Sequence, residues 1–152
     1  AIPELGWDKP YDRFTTEGKG EMVAKMQNLM SLFDALGVCK FSLFGGMRPH
    51  HLVDWLNYIT GWNFDLEEFM KTGERLYNLK RLINVRRGIS RKDDVLPMRL
   101  LTHRRGEGGT VNELPNLGTM LSDYYAYRGW SEEGIPTPSK LAELELTDFA
   151  VK

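Results

Sequence analysis

The sequence predicts an all-α protein, an irregular helical bundle of about four main helices plus short helices, with a loop-like N-terminus. Three observations carry this reading. Apolar residues recur at three- and four-residue intervals over long stretches. Glycines and prolines punctuate the ends of those stretches, at Gly37, Pro49, Gly61, Gly88, Gly129 and Pro138. No alternating apolar run between turns is long enough to support a sheet.

Bulk properties narrow the function classes. At 152 residues the chain suits one domain, 1–152, with its own core. A net charge of −1 gives no general pull toward nucleic acid or acidic membranes. No apolar run approaches the ~20 residues of a membrane span, and no signal-peptide pattern opens the chain. The single cysteine excludes an internal disulfide and fits a reducing compartment. The first residue is Ala, which suits a trimmed start or a piece of something longer.

Residues 1–18 carry Pro3, Gly6, Pro10 and Gly18 without any period, so they read as extended chain pinned by Trp7, Tyr11 and Phe14. The first helix is expected over about 20–36. Met22, Val23, Met26, Leu29, Met30 and Phe33 form its apolar stripe, and Gly37 is its left-handed cap. Ser42 to Gly46 is an irregular link whose glycine pair permits positive φ. A second helix should run from Pro49 to Thr60, with Leu52, Val53, Leu56 and Ile59 inward and Gly61 as the stop.

The best local signal follows. Asp65 as N-cap and Glu68 three residues on form a capping box worth about 1 kcal/mol. The helix it opens bears Leu66, Phe69, Met70, Leu76, Tyr77 and Ile83, and should reach about Arg87. Gly73 lies on its apolar face, where a missing side chain permits a close helix crossing at up to ~1 kcal/mol of propensity. Ser90–Asp94 reads as a polar turn, Pro97–Leu101 as a short helix and His103–Pro115 as a glycine-rich loop. A fourth main helix, about Leu117–Tyr127, should bury Leu117, Met120, Leu121 and Tyr124; Thr137-Pro138 opens a last short helix through Leu141 and Leu144.

Two residues stand out at the end of the first helix. Asp34 places a carboxylate in the last turn, where the helix dipole disfavours it by about 0.3–1 kcal/mol if exposed. By 100° steps it falls at the edge of the apolar stripe, beside Val23. Cys39 follows two residues past the Gly37 cap. Taken singly these are a border carboxylate and a small buried thiol.

Their order changes the reading. Asp34-Ala35-Leu36-Gly37-Val38-Cys39-Lys40 matches Asp-x-x-Gly-Leu-(Cys/Asp)-x, with Val for Leu. That pattern resembles the tungsten-containing aldehyde:ferredoxin oxidoreductases. Further blocks resemble the same family's C-terminal region: Gly73 to Leu82, Gly88 to Asp94, Leu96-Pro97, Tyr124-Tyr125, Arg128-Gly129-Trp130 and Gly134 to Thr137. They occur in the family's order, over roughly residues 20–146.

The resemblance implies a C-terminal domain of a longer enzyme that oxidises an aldehyde and water to a carboxylic acid. It implies that Cys39 is the fourth thiolate of a [4Fe–4S] cluster, which takes four cysteine sulfurs. The family's other three, an upstream Cys-x-x-Cys-x-x-x-Cys run, are absent here. It implies that Asp34, Val38 and Lys40 hold the pterin of a tungsten bis-pterin (tungstopterin) cofactor. An ionised Asp34 suits ring N–H and amino donors, whereas Val38 and Lys40 serve through main-chain groups. Both cofactors are expected only in the full-length enzyme, and the isolated chain is expected to be inactive. The expected partners are ferredoxin as electron acceptor, the aldehyde substrate, the remaining domains of the parent enzyme and a second copy in a homodimer. Neither nucleic acid nor membrane is expected, and the expected localisation is cytoplasmic. No catalytic acid or base is assigned.

Other candidates take structural readings. His50 and His51 project about 100° apart on a helix and do not readily grip one ion. Lys80, Arg81, Arg86, Arg87, Arg91 and Lys92 lack the interleaved aromatics of a nucleic-acid patch and suit the cation-favouring end of a helix. Trp55, Trp62, Tyr124, Tyr125 and Trp130 read as core or hinge packing, and Asp93-Asp94 as capping residues. The rival from another class is a stand-alone helical module that binds a partner through its Gly45-Gly46 and Gly106–Gly109 loops.

Overall fold

In the computed structural model, which describes residues 2–150, the long helices form where the apolar period and the caps coincide. They are α1 (Lys19–Leu36), α2 (Pro49–Thr60), α3 (Leu66–Arg86) and α5 (Leu117–Arg128), with shorter α4 (Met98–Thr102) and α6 (Pro138–Glu143). Among the described residues there is no strand, only the isolated bridges Ile2–Trp7 and Trp130–Pro136. The all-α reading holds.

Helix ends obey local chemistry. Gly37, Gly61 and Gly129 cap α1, α2 and α5 in the left-handed conformation, at φ 67°, 73° and 65°. Asp65 accepts from the Glu68 N–H at 2.8 Å, opening α3. Thr137 does the same for Lys140 at 3.3 Å, opening α6.

α1 is the central element, packed between α3 and α5. Both crossings depend on glycine. A Cβ on Gly73 would drive into the Asn28 carbonyl and stand 2.9 Å from Leu32 Cδ1. A Cβ on Gly20 would lie 2.6 Å from the Tyr124 amide nitrogen. The expected close crossing at Gly73 is therefore present, and α1 has a second one against α5. Two contacts of this kind give α1 two buried faces, and its buried residues are Gly20, Ala24, Asn28, Leu29, Ser31, Leu32 and Phe33. The expected stripe meets the main core through Leu29 and Phe33, with Met22, Met26 and Met30 packed against it, and only Val23 of the six is exposed. The second face, of Gly20, Ala24, Asn28 and Ser31, is small and polar.

The main apolar cluster joins Leu29, Leu32 and Phe33 of α1 to Leu52 and Val53 of α2 and Phe69 of α3. Burying each such side chain contributes about 1.5–3 kcal/mol. The N-terminal segment is more ordered than expected. Pro3–Leu5 forms a 3-10 turn, and Ile2, Leu5 and Trp7 enter the same cluster, while Tyr11 and Phe14 stay exposed. A second cluster gathers Ala24, Tyr124, Tyr125 and Trp130, and a third joins Leu82 to Leu141, Leu144 and Leu146.

Four residues depart from their expected packing. Ile59 and Ile83 are exposed, and on α3 it is the adjacent Leu82 that is buried, against Leu141, Leu144 and Leu146. Trp55 and Trp62 are exposed rather than core, whereas Tyr124, Tyr125 and Trp130 are buried.

A candidate cofactor loop and the cleft beside it

The loop after α1 is held from both ends. The Val38 N–H donates to the Phe33 carbonyl at 2.9 Å and the Gly37 N–H to the Asp34 carbonyl at 3.2 Å, closing the helix. Beyond it, Lys40–Leu43 forms a 3-10 turn with Cys39 as N-cap. The Ser42 hydroxyl and amide both donate to the Cys39 carbonyl, at 2.7 and 3.0 Å. Cys39 is thus fixed through its backbone while its free thiol is exposed.

The motif's side chains divide by direction. Asp34 is 77% exposed and reaches Lys80 of α3 at 3.7 Å, a long ion pair of little energetic weight. It lies on the wet face, not at the edge of the buried stripe, because the second contact of α1 rotates the buried sector away from it. Val38 is half-buried against the main cluster. Lys40 is exposed, its ammonium 5.6 Å from the Phe41 ring centroid. Val38 anchors the loop to the core, while Asp34 in the last turn of α1 and Cys39 and Lys40 on the loop are exposed.

A metal centre needs more than this loop supplies. Among the described residues no group of three or more His, Cys, Asp or Glu can hold an ion. One exposed thiol fits one corner of a four-cysteine cluster, and the other corners must come from outside these residues. An outward carboxylate likewise fits a cofactor seated on the loop. His50 and His51 are otherwise engaged. His50 Nδ1 lies 2.9 Å from Glu4 Oε1, and His51 Nδ1 accepts from the Arg48 N–H at 2.9 Å.

Beside the loop, a cleft of about 750 Å³ opens between α1, α3 and α5. Val23, Leu96, Leu121 and Trp130 supply its apolar walls, and Lys80 joins its lining to Asp34. Its polar floor is a three-residue network. Arg81 donates to both oxygens of Asp94, at 2.9 and 2.7 Å, and from Nε to the Gly134 carbonyl at 2.7 Å. The Tyr125 hydroxyl donates to the same Asp94 carboxylate. The Arg81 guanidinium also stacks 4.9 Å from the Trp130 ring centroid.

Electrostatics follow from these contacts. Burial opposes ionisation of Asp94, but hydrogen bonds from Arg81 and Tyr125 and the Arg81 and Arg91 charges hold its carboxyl below the ordinary value. Burial, reinforced by the Asp94 carboxylate, pushes the Tyr125 phenol up to about 12.

This network corrects two expectations. Arg81, expected among the solvated cations at a helix end, is buried. Asp93 does cap Ser90, at 2.8 Å, but Asp94 is the partner of Arg81 and Tyr125. A third buried feature has no sequence signal. Arg128 is fully enclosed and donates to neutral acceptors: Asn28 at 2.6 Å, Gln27 at 2.8 Å, the Ala24 carbonyl at 3.0 Å and the Tyr124 hydroxyl at 3.1 Å. Its guanidinium lies 4.1 Å from the Tyr77 ring centroid. No helix of the described residues is long and apolar enough to cross a membrane.

The profile of the family described as "Aldehyde ferredoxin oxidoreductase, domains 2 & 3" matches residues 1–146. A tungsten-containing aldehyde ferredoxin oxidoreductase of Pyrococcus abyssi is 40% identical over 141 residues, covering 92% of this chain and 23% of the relative. Proteins of the same name from Pyrococcus horikoshii and Thermococcus kodakarensis are 38% and 37% identical over the same extent. The chain thus spans about a quarter of the length of the curated relatives it matches, 23% in each.

Proposed function

This chain belongs to the aldehyde ferredoxin oxidoreductase family, and on that basis we propose that it is the C-terminal, cofactor-facing domain of an oxidoreductase that converts aldehydes to carboxylic acids. When bound, a tungsten–pterin centre with a [4Fe–4S] cluster supplies the chemistry: aldehyde and water yield the acid, two protons and two electrons, which pass to ferredoxin. The stand-alone module is not favoured by the family membership.

The residues here bind and orient. Cys39 donates one thiolate to the cluster. Asp34 accepts charge-assisted hydrogen bonds from pterin N–H groups. Val38 and Lys40 present main-chain groups to the same ring system, Val38 held by its half-buried side chain. Holding a cluster ligand and a pterin ligand five residues apart keeps the two redox centres adjacent. The cleft between α1, α3 and α5 forms one wall of the substrate cavity, its apolar sides suited to the organic part of the aldehyde. The remaining domains supply the other three thiolates, and the working protein is a cytoplasmic homodimer.

The observation that carries this reading is that Asp34, in the last turn of α1, and Cys39, on the backbone-fixed loop after it, are exposed five residues apart. The test is a Cys39→Ser substitution in the longer polypeptide, read by electron paramagnetic resonance of the dithionite-reduced protein. Loss of the cluster signal with retained helical circular dichroism is the expected result. An unchanged cluster signal removes Cys39 from the ligand set.

A further inference from the structure

α2 has two apolar faces, and only one is used by this chain. Pro49, Leu52 and Val53 are buried, with Leu56 packed beside them. On the other side Trp55, Tyr58, Ile59 and Trp62 are exposed by 49%, 84%, 84% and 57%. Their spacing places them on one side of the helix and its end. At about 150–250 Å² per large side chain, this face leaves on the order of 500 Å² of apolar surface in water. That is the upper range for a patch on a free-standing protein.

The face is also rigidly presented. Asn57 clamps the segment after α2 by donating to the Phe64 carbonyl at 2.8 Å and accepting from the Phe64 N–H at 2.9 Å. Trp62 rests 5.5 Å from the Phe64 ring, and Trp55 stacks 6.3 Å from His51. Aromatic side chains already fixed in place lose little entropy on being covered.

We propose that this outward face of α2 is the seat of an apolar segment from another part of the same, longer polypeptide. The proposal rests on the functional reading above. The relatives place more than three quarters of their length outside the matched region, which is only 23% of each. That much chain must pack somewhere. The proposed cluster at Cys39 takes its other thiolates from it, and α2 starts ten residues after Cys39. The unmatched length of the relatives and the nearness of α2 to Cys39 in the chain both favour a seat for the same polypeptide.

The test is hydroxyl-radical footprinting of the longer polypeptide, read by mass spectrometry at Trp55, Tyr58 and Trp62, native against urea-unfolded. Trp130, buried by this chain itself, reports that the native sample is folded. Covered residues should oxidise about tenfold more slowly in the native protein, as interface cores exclude water, and that protection should persist on dilution. Oxidation of Tyr58 near its unfolded rate, with Trp130 protected, overturns the proposal. Protection that disappears on dilution overturns it in favour of a second copy. The cluster signal recorded on the same sample separates either failure from failure of the cofactor reading.

Discussion

Arg128 donates from Nη1 to the Asn28 side-chain oxygen at 2.6 Å, tying α5 to the middle of α1 across one hundred residues of sequence. The guanidinium is enclosed, and its other hydrogen bonds gather Gln27, Ala24 and Tyr124 around the same point. Replacing it by Ala strips several buried acceptors of their donor, so Arg128→Ala should destabilise the fold by about 3 kcal/mol or more. Arg128→Lys should recover only part, since one ammonium cannot reproduce a planar fork. Urea midpoints of the three proteins measure both effects.

The helix glycines separate packing from propensity. Gly73→Ala should destabilise by about 1–3 kcal/mol, because the new methyl meets the Asn28 backbone and Leu32, which outweighs the gain in helix propensity. At Gly118, inside α5, a methyl group would meet nothing within 4 Å, so Gly118→Ala should stabilise by about 0.5 kcal/mol. Opposite shifts in thermal midpoint are the expected pair.

Asp94 gives an acid-side prediction. Its folded carboxyl is depressed below the ordinary 3.8, so its stabilisation is complete above that value and is lost as pH falls through the folded pKa. Asp94→Asn leaves the buried Arg81 without its carboxylate and should cost about 3 kcal/mol at neutral pH. The gap in urea midpoint between wild type and variant should narrow steadily below pH 3.8.

Tyr125 gives the alkaline counterpart. Its folded phenol is raised from 10.0 to about 12, so its stabilisation is complete below 10.0 and is lost as pH rises through about 12. Over that window the wild type should lose stability relative to Tyr125→Phe. Alkaline denaturation followed by circular dichroism compares the two.

The cofactor loop should be separable from the fold. Asp34→Asn and Cys39→Ser alter exposed side chains, and each should shift stability by no more than about 0.5 kcal/mol. In the longer polypeptide, Asp34→Asn should lower bound pterin, assayed by fluorescence of the oxidised, released cofactor, without loss of helix content.

Features set by neighbouring residues are legible in the sequence. α2 begins and ends where Pro49 and Gly61 predict, Asp65 caps α3, and Gly37 closes α1 in the left-handed conformation. The Asp34-to-Lys40 motif spans the last turn of α1 and the loop after its Gly37 cap, where the spacing puts it. Burial is less legible. A 3.6-residue period reports that a helix has an inward face, but α1 touches both α3 and α5, so its buried sector is wider and turned. Ile59 fits the period of α2 and still points outward.

Local sequence suffices for the helices, their caps, and the helix end and loop that bear Asp34 and Cys39, because each depends on residues within a turn or two of one another. Gly73 is legible too, but the helix it admits is not. Long-range packing alone makes Arg81 the partner of Asp94 and Tyr125, sets Arg128 at the α1–α5 crossing, and leaves one apolar face of α2 bare. A buried charge is tolerable only where acceptors converge on it, and a face is buried only if another element arrives to cover it. Both depend on how distant helices meet, which no local period encodes.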